Sequence, residues 1–212
     1  MIVTPLIIPI LLWGAVALVG AFTVAGVAGA FDDPKKNKLG ILGMQQAGKT
    51  RFLKFLQNKP FIEGQTSRDS YEEFKYKLND EKEIIISSGI DLGGETLYRS
   101  EYNKIIKDND LILYFFDIDK YIKNPLENNE YYQRGCNSRF EHIYSENINR
   151  KKVIVIATHR DKCKFSDNEM KRTFETLIQN KSYKEMLKEI KYINLTNKTE
   201  LQSLVNTIFN NK

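Results

Sequence analysis

The residues of this chain best suited to chemistry form a glycine-bounded loop, GMQQAGKT, at positions 43–50. The loop fits the pattern G-x-x-x-x-G-K-[ST], in which backbone N–H groups surround phosphate oxygens. Lys49 would reach the outer phosphates, and the Thr50 hydroxyl would bind Mg²⁺. The residues expected to contact the phosphates are Gly43, Met44, Gln45, Gln46, Ala47, Gly48, Lys49, Thr50 and Arg51.

The sequence on either side of this phosphate loop predicts the elements that position it. Residues 38–42 form a short apolar run typical of a strand, and residues 51–56 have the apolar spacing of an amphipathic helix. A helix N-terminus has unpaired N–H groups and a partial positive charge, so a strand, a loop and a helix in this order make an anion site. An accidental glycine-rich turn is the alternative, and this context argues against it.

Two more sequences could serve the same phosphates and a metal ion. Asp91 begins an Asp-x-x-Gly sequence after a predicted strand, where its carboxylate can accept a hydrogen bond from Mg²⁺-bound water. Gly94 lets its backbone N–H approach the γ-phosphate closely. In the polar loop of residues 61–70, Thr66 can sense Mg²⁺ and the γ-phosphate. The predicted metal-binding residues are therefore Thr50, Thr66 and Asp91.

Two later loops are suited to reading a nucleotide base. The apolar run 153–157 is followed by Thr158, His159, Arg160 and Asp161. An aspartate there can accept hydrogen bonds from both N1–H and the 2-amino group of guanine, whereas adenine has no such pair of donors. Backbone groups at Thr196 and Asn197, after the last predicted strand, could contact the guanine carbonyl. The predicted base-binding residues are Thr158, His159, Asp161, Thr196 and Asn197.

Strands alternate with helices along the chain, which predicts an α/β fold with a doubly wound, mostly parallel six-stranded sheet and one antiparallel edge strand. The predicted strands are residues 38–42, 71–78, 83–90, 111–117, 153–157 and 192–195, and the predicted helices are 51–57, 97–107, 138–149, 168–180, 183–189 and 200–209. A turn at 79–82 makes the second and third strands a hairpin, and residues 118–135 are predicted to be an irregular insertion or an extended approach to a helix. In such a sheet the ligand lies at the carboxyl ends of the strands.

The first 31 residues contain no charged side chain. Residues 10–30 alone make an apolar run of 21 residues, and about 20 span a bilayer core. Lysines follow only on the C-terminal side, so the positive-inside rule places the rest of the chain in the cytoplasm. The sequence thus predicts a single-pass membrane anchor at 1–31, a linker at 32–37 and one domain at 38–212. A cleaved signal peptide and a buried soluble helix are the alternatives; the lack of a basic N-terminal region and the length of the run argue against them.

Small residues recur every four positions within the predicted anchor, at Ala17, Ala21, Ala25 and Gly29. This spacing lets two membrane helices approach closely, which favours helix–helix association. Chance is the alternative, because alanine and glycine are common in membrane helices.

Composition adds little about partners. The net charge is +5, with basic residues spread along the chain, so the sequence does not indicate a nucleic-acid surface. A weak preference for anionic lipids is more consistent with the predicted anchor. Cys136 and Cys163 lack the spacing of metal ligands.

With these motifs in order, the chain resembles the Ras-like small GTPases, and most of all their Arf-like branch and the β subunit of the signal recognition particle receptor. The resemblance covers about residues 38–212 and includes the phosphate loop, the Gln-Thr-Ser sequence at 65–67 and the Asp-Leu-Gly-Gly sequence at 91–94. The receptor subunit also has a membrane helix directly before its GTPase domain. The resemblance implies a P-loop fold and a GDP/GTP switch that uses Mg²⁺, with two loops, 64–70 and 92–98, that change shape and a protein partner that is recruited.

The resemblance also implies catalytic roles in GTP hydrolysis for Lys49, Thr66, Gly94 and Glu95. The chain departs from the family at three places. Thr158 and His159 replace the usual Asn-Lys of the base motif, although Asp161 is present. Glu95 stands where many members have a glutamine that orients water, and Gln45 stands where Ras proteins have glycine. We therefore expect slow hydrolysis without an activating partner. A GTP-bound scaffold or receptor subunit that does not hydrolyse GTP, and an enzyme that uses ATP, are the alternatives.

Overall fold

A six-stranded sheet forms the centre of the fold in the computed structural model, which describes residues 38–61, 70–77, 83–90, 98–123, 130–147 and 151–209. The strands are β1 (Lys38–Gly43), β2 (Ser70–Tyr71), β3 (Phe74–Lys77), β4 (Glu83–Ile86), β5 (Gly89–Ile90), β6 (Leu111–Asp117), β7 (Lys152–Thr158) and β8 (Lys191–Tyr192). The main sheet has the order β3-β4-β1-β6-β7-β8, and β2 and β5 form a separate pair.

The directions of the strands confirm the predicted sheet. β1 is parallel to both β4 and β6, β6 is parallel to β7, and β7 is parallel to β8. β3 runs antiparallel to β4 at the edge, with Phe74 opposite Ile86, as the predicted hairpin requires. Because the four central strands run in one direction, their carboxyl ends meet at one edge of the sheet.

Helices cover the sheet, and they differ from the prediction at 118–135 and at 183–189, where a 3₁₀ turn takes the place of the predicted helix. The helices are α1 (Lys49–Leu56), α2 (Tyr98–Asp108), α3 (Ile118–Ile122), α4 (Glu130–Glu146), α5 (Asp167–Ile178) and α6 (Lys198–Phe209), with 3₁₀ turns at Arg160–Lys162 and Ser182–Leu187. The prediction of an irregular 118–135 segment was wrong in two places: α3 occupies its start, and α4 begins at Glu130 instead of 138. Asparagine and glycine have low helix propensity, so Gly135 and the nearby asparagines gave no sequence signal for the start of α4. Buried side chains on one face of α4, including Cys136, stabilise it through tertiary packing.

The core includes all of β6, whose seven residues are buried. Phe116 packs against Phe140 of α4 and Tyr121 of α3, each with ring centroids 5.4 Å apart, and against Phe174 of α5 at 5.8 Å. One aromatic side chain near the carboxyl end of β6 therefore fixes three helices around that end of the strand. Tyr121 is fully buried, and Tyr132 packs against the same core.

None of the helices within the described ranges is long and apolar enough to cross a membrane. The predicted anchor at 1–31, its Ala17–Gly29 repeat and the linker at 32–37 lie outside the described residues.

Candidate functional site

The carboxyl ends of three strands bring the predicted site residues to one edge of the sheet. Gly43 at the end of β1 is paired with Phe115 of β6, and Asp117 at the end of β6 is paired with Thr158 of β7. The Thr158 hydroxyl lies 3.0 Å from the carbonyl oxygen of Ala47. The phosphate loop and the predicted base loop are therefore in direct contact, although 111 positions separate these two residues.

The backbone of the phosphate loop requires glycine at both ends of the motif. A Cβ atom on Gly43, which has φ of +149°, would lie 2.3 Å from the carbonyl oxygen of Phe115, a backbone atom that cannot move aside. Gly48 has φ of +86°, a left-handed conformation that side chains disfavour. The glycine positions of the motif thus correspond to real steric limits in this chain.

Lys49 begins α1 and points its ammonium group into the loop. The side chain is buried, with 7% exposed, and its Nζ donates hydrogen bonds to the carbonyl oxygens of Met44 at 2.7 Å and Gly43 at 3.2 Å. Thr50 follows in the first turn of α1 and is half-buried. A lysine ammonium and a helix N-terminus therefore lie at the same place, which is the arrangement that the predicted anion site requires.

Thr158 connects the base loop to the rest of the site. It is fully buried, and besides Ala47 its hydroxyl lies 3.0 Å from the carbonyl oxygen of Phe116 and 2.9 Å from Nδ1 of His159. These contacts are to protein atoms on three segments. Thr158 therefore holds the base loop against the phosphate loop.

His159 lies between the base loop and the end of β6. It has a left-handed backbone, with φ of +60°, and its Nδ1 is 3.4 Å from Oδ2 of Asp117. Burial lowers the pKa of His159, and the nearby Asp117 carboxylate opposes this shift only in part. Asp117 is itself buried and accepts a hydrogen bond from the backbone of Lys120, which caps α3.

Asp161 is exposed in the 3₁₀ turn that follows His159, so its carboxylate is accessible to a ligand. Thr196 and Asn197 precede α6 and are exposed, but their side chains already have partners. Both the backbone N–H and the hydroxyl of Thr196 donate to the Asn194 side chain, and the Asn197 side chain accepts from backbone N–H groups at the start of α6. The backbone N–H of Asn197 also has a partner, the carbonyl oxygen of Asn194 at 3.1 Å.

Four predicted catalytic or metal-binding residues lie outside the described residues: Thr66, Asp91, Gly94 and Glu95. Within the described ranges no three His, Cys, Asp or Glu side chains form a metal site. Thr50 fits a Mg²⁺ ligand, because its hydroxyl lies on the first turn of the helix behind the loop and magnesium in such sites is bound by few protein oxygens together with phosphate oxygens.

Comparison with solved structures shows the fold. Translation elongation factor SelB from Methanococcus maripaludis, in complex with the GTP analogue GppNHp, is 23% identical over 83% of this chain and 34% of its own, with a TM-score of 0.53. A GTP-binding protein from the archaeon Sulfolobus solfataricus, in complex with GDP, is 16% identical over 81% of this chain and 50% of its own, with a TM-score of 0.55. The chain has the fold of these GTP-binding proteins. It spans half or less of either structure.

No protein-family model matches the sequence, and no curated protein matches it either. The predicted P-loop fold is thus confirmed by structural likeness alone. The finer resemblance to the Arf-like branch and to the receptor β subunit stays a prediction.

Sequence reasoning missed three residues that contact the site in this GTP-binding-protein fold. Asp117 contacts His159, and Lys120 of α3 donates to the side chain of Gln46 in the phosphate loop at 3.1 Å. Tyr102 of α2 contacts Gly43. The position of Asp117 at the end of an apolar run was a usable signal, whereas the contacts of Lys120 and Tyr102 depend on the packing of distant helices.

Proposed function

We propose that the chain is a membrane-anchored GTPase that alternates between GDP-bound and GTP-bound states and hydrolyses GTP slowly. The observation that carries this proposal is the contact between Thr158 and the carbonyl of Ala47. It joins a phosphate-binding loop to a loop that presents an exposed Asp161, so one ligand with both a phosphate chain and a base can engage the two loops together.

Each loop supplies one part of the recognition. Lys49 and the amides at the start of α1 would bind the phosphates, and Thr50 would bind Mg²⁺, with Thr66 and Asp91 as further ligands from the sequence. The metal ion neutralises charge on the phosphates when bound. Asp161 would accept hydrogen bonds from guanine, with Thr196 and Asn197 contributing backbone contacts.

Hydrolysis would be in-line attack of water on the γ-phosphate, with charge stabilised by Lys49 and the amide of Gly94. By the resemblance, Glu95 replaces the glutamine that orients the attacking water, and its negative charge would orient water poorly, so we expect turnover to be slow until a partner protein assists. An Arf-like or receptor-β-like role in recruiting a protein partner follows from the resemblance. Membrane attachment follows from the apolar residues 1–31, and helix–helix association from the small-residue repeat within them.

A GTP-bound scaffold or receptor subunit is the second candidate function, and the Glu95 substitution is the feature that favours it. In that case the nucleotide would stabilise the fold without being consumed.

The test is nucleotide binding and multiple-turnover phosphate release by the full-length chain in detergent. We expect GTP and GDP to bind at least about tenfold more tightly than ATP, since adenine offers Asp161 no matching donor pair. Lys49→Ala should abolish binding and phosphate release, whereas Lys54→Ala, on the same helix, should not. Equal affinity for ATP would contradict the guanine assignment. Tight GTP binding with phosphate release no faster than in Lys49→Ala would favour the scaffold.

A further inference from the structure

Tyr102 of α2 contacts the first residue of the phosphate loop. Its hydroxyl oxygen lies 3.3 Å from both the backbone nitrogen and the carbonyl oxygen of Gly43, and the side chain is only 3% exposed. α2 begins at Tyr98, at the end of the 92–98 loop that the resemblance identifies as a switch. The contact therefore joins the helix that follows this loop to the phosphate loop itself.

The direction of the hydrogen bonds at Tyr102 is set by its neighbours. A tyrosine hydroxyl has one hydrogen to donate and two lone pairs to accept with. The backbone N–H of Gly43 donates to this hydroxyl at 3.3 Å, and the guanidinium of Arg139 on α4, whose charge acts on the hydroxyl, can only donate. The hydroxyl hydrogen is donated to the Gly43 carbonyl oxygen at 3.3 Å. Burial raises the pKa of Tyr102 to about 12, so the hydrogen stays in place at neutral pH.

The Gly43 carbonyl has a second donor. Lys49 Nζ lies 3.2 Å from the same oxygen, so the Tyr102 hydroxyl and the Lys49 ammonium share one acceptor. An ammonium that turns toward a phosphate gives up part of its bonding to the loop carbonyls. A buried carbonyl left without a donor costs free energy, and Tyr102 removes that cost by keeping Gly43 paired.

We propose that Tyr102 is a positioning residue: it frees Lys49 to bind phosphate and links the occupied phosphate loop to α2. The inference rests on the proposed nucleotide binding. When Lys49 turns to a phosphate, Tyr102 becomes the main donor to Gly43, and the bond between α2 and the loop strengthens. By linkage, a nucleotide in the loop stabilises α2, and an ordered α2 favours the nucleotide. Arg139 extends the same connection to α4.

The test compares two buried tyrosines that each lose only a hydroxyl group, in the full-length chain. Tyr102→Phe should weaken binding of fluorescent GDP and GTP by about fivefold, the loss expected for one hydrogen bond. Tyr183→Phe is the matched control, since Tyr183 is 2% exposed and its hydroxyl donates to the Asn137 side chain at 2.9 Å, on α4 and away from the loop. The control should change affinity by less than about twofold.

Hydrogen exchange supplies a readout that a purely structural role would not change. GDP should slow exchange of the α2 amides in the unsubstituted chain and in Tyr183→Phe, and this protection should be reduced in Tyr102→Phe. If Tyr102→Phe does not fold, Arg139→Gln tests the same point. The glutamine amide oxygen offers the Tyr102 hydroxyl hydrogen an alternative acceptor to the Gly43 carbonyl. This variant should therefore also weaken GDP binding.

The outcomes separate this inference from the proposed function. Equal affinity and equal α2 protection in Tyr102→Phe and Tyr183→Phe would overturn the role of Tyr102 and leave nucleotide binding intact. Absence of GDP and GTP binding by the unsubstituted chain would overturn both.

Discussion

The hydroxyl group of Thr158 contacts three segments of the site within 3.0 Å: the phosphate loop, the end of β6 and the His159 ring. Asparagine, the residue usual at this position in the resembled family, offers two N–H donors and an acceptor oxygen, and threonine offers one hydrogen and two lone pairs on a shorter side chain. Thr158 can therefore donate to a carbonyl and accept from His159 at the same time. The shorter threonine side chain therefore holds the base loop against the phosphate loop, and the adjacent His159 belongs to the same set of hydrogen bonds.

Removing this hydroxyl should destabilise both the fold and the site. Thr158→Val keeps the shape of the side chain but removes the single hydroxyl hydrogen that can pair with the carbonyl of Ala47 or of Phe116, which we expect to lower the free energy of unfolding by about 1–3 kcal/mol. GDP should also dissociate faster. Thr176→Val is the control, because Thr176 is exposed on α5 and bonds only to its own helix. Urea unfolding and fluorescent GDP release measure the two effects, and equal behaviour of the two variants would contradict the role of Thr158.

His159 should make stability depend on pH. Its pKa in the folded chain is lowered, mainly by burial, from an ordinary value of about 6.5. Below that pH the unfolded chain binds a proton more readily than the folded one, so the contribution of His159 to stability is present at neutral pH and is lost as the pH falls below about 6.5. In a His142→Gln background, the difference in unfolding free energy between pH 7.5 and pH 5.5 should shrink on His159→Gln. If His159→Gln leaves this difference in unfolding free energy unchanged, His159 does not contribute to the pH dependence of stability.

At the scale of the elements, the aromatic packing around β6 keeps α3 and α4 beside the site. Phe140 is fully buried, with ring centroids 5.1 Å from Tyr114, 5.4 Å from Phe116 and 5.4 Å from Tyr183. Because one side chain of α4 packs against β6 and against the turn that holds Tyr183, its loss should affect both regions.

Phe140→Ala should lower the free energy of unfolding by about 3–5 kcal/mol, the cost of removing a large buried ring and leaving a cavity. Tyr131→Ala on the same helix should change it by less than about 0.5 kcal/mol, since Tyr131 is 71% exposed. Thermal and urea unfolding of the two variants give the comparison. A similarly small decrease in the free energy of unfolding in both variants would mean that α4 does not depend on this packing.

The elements that the sequence predicted well are those with a local signal. β6 was predicted to its residue bounds because its run of apolar residues is continuous, and the phosphate loop because glycine is required at Gly43 and Gly48. The start of α4 was missed because its stability comes from packing against β6. The contact of Tyr102 with Gly43 joins residues 59 positions apart, and nothing in the local sequence encodes it.

At the scale of the whole molecule, the proposed attachment to the membrane depends on residues 1–31. We expect the full-length chain to remain with the membrane fraction after an alkaline wash. A double substitution in the middle of the apolar run, Leu18→Arg with Val19→Asp, should release it, because each charge costs about 2.5–3.5 kcal/mol at the centre of a spanning helix. Exchanging two polar residues of the linker, Asn37→Ser with Asp33→Asn, is the control. If the variant with the two charges stays in the membrane fraction after the alkaline wash, this would argue against a spanning helix.

The bond between Thr158 and Ala47 also sets an order of events during synthesis. Thr158 is added 111 residues after Ala47, which at about 5–20 residues per second takes about 6–22 s. During that interval the phosphate loop exists without the hydroxyl that holds the base loop against it, while the apolar N-terminal residues have already been made. With the proposed anchor and the proposed nucleotide, a chain that inserts as it emerges would arrive at the bilayer before it can hold guanine nucleotide. We therefore expect its first nucleotide to be acquired there.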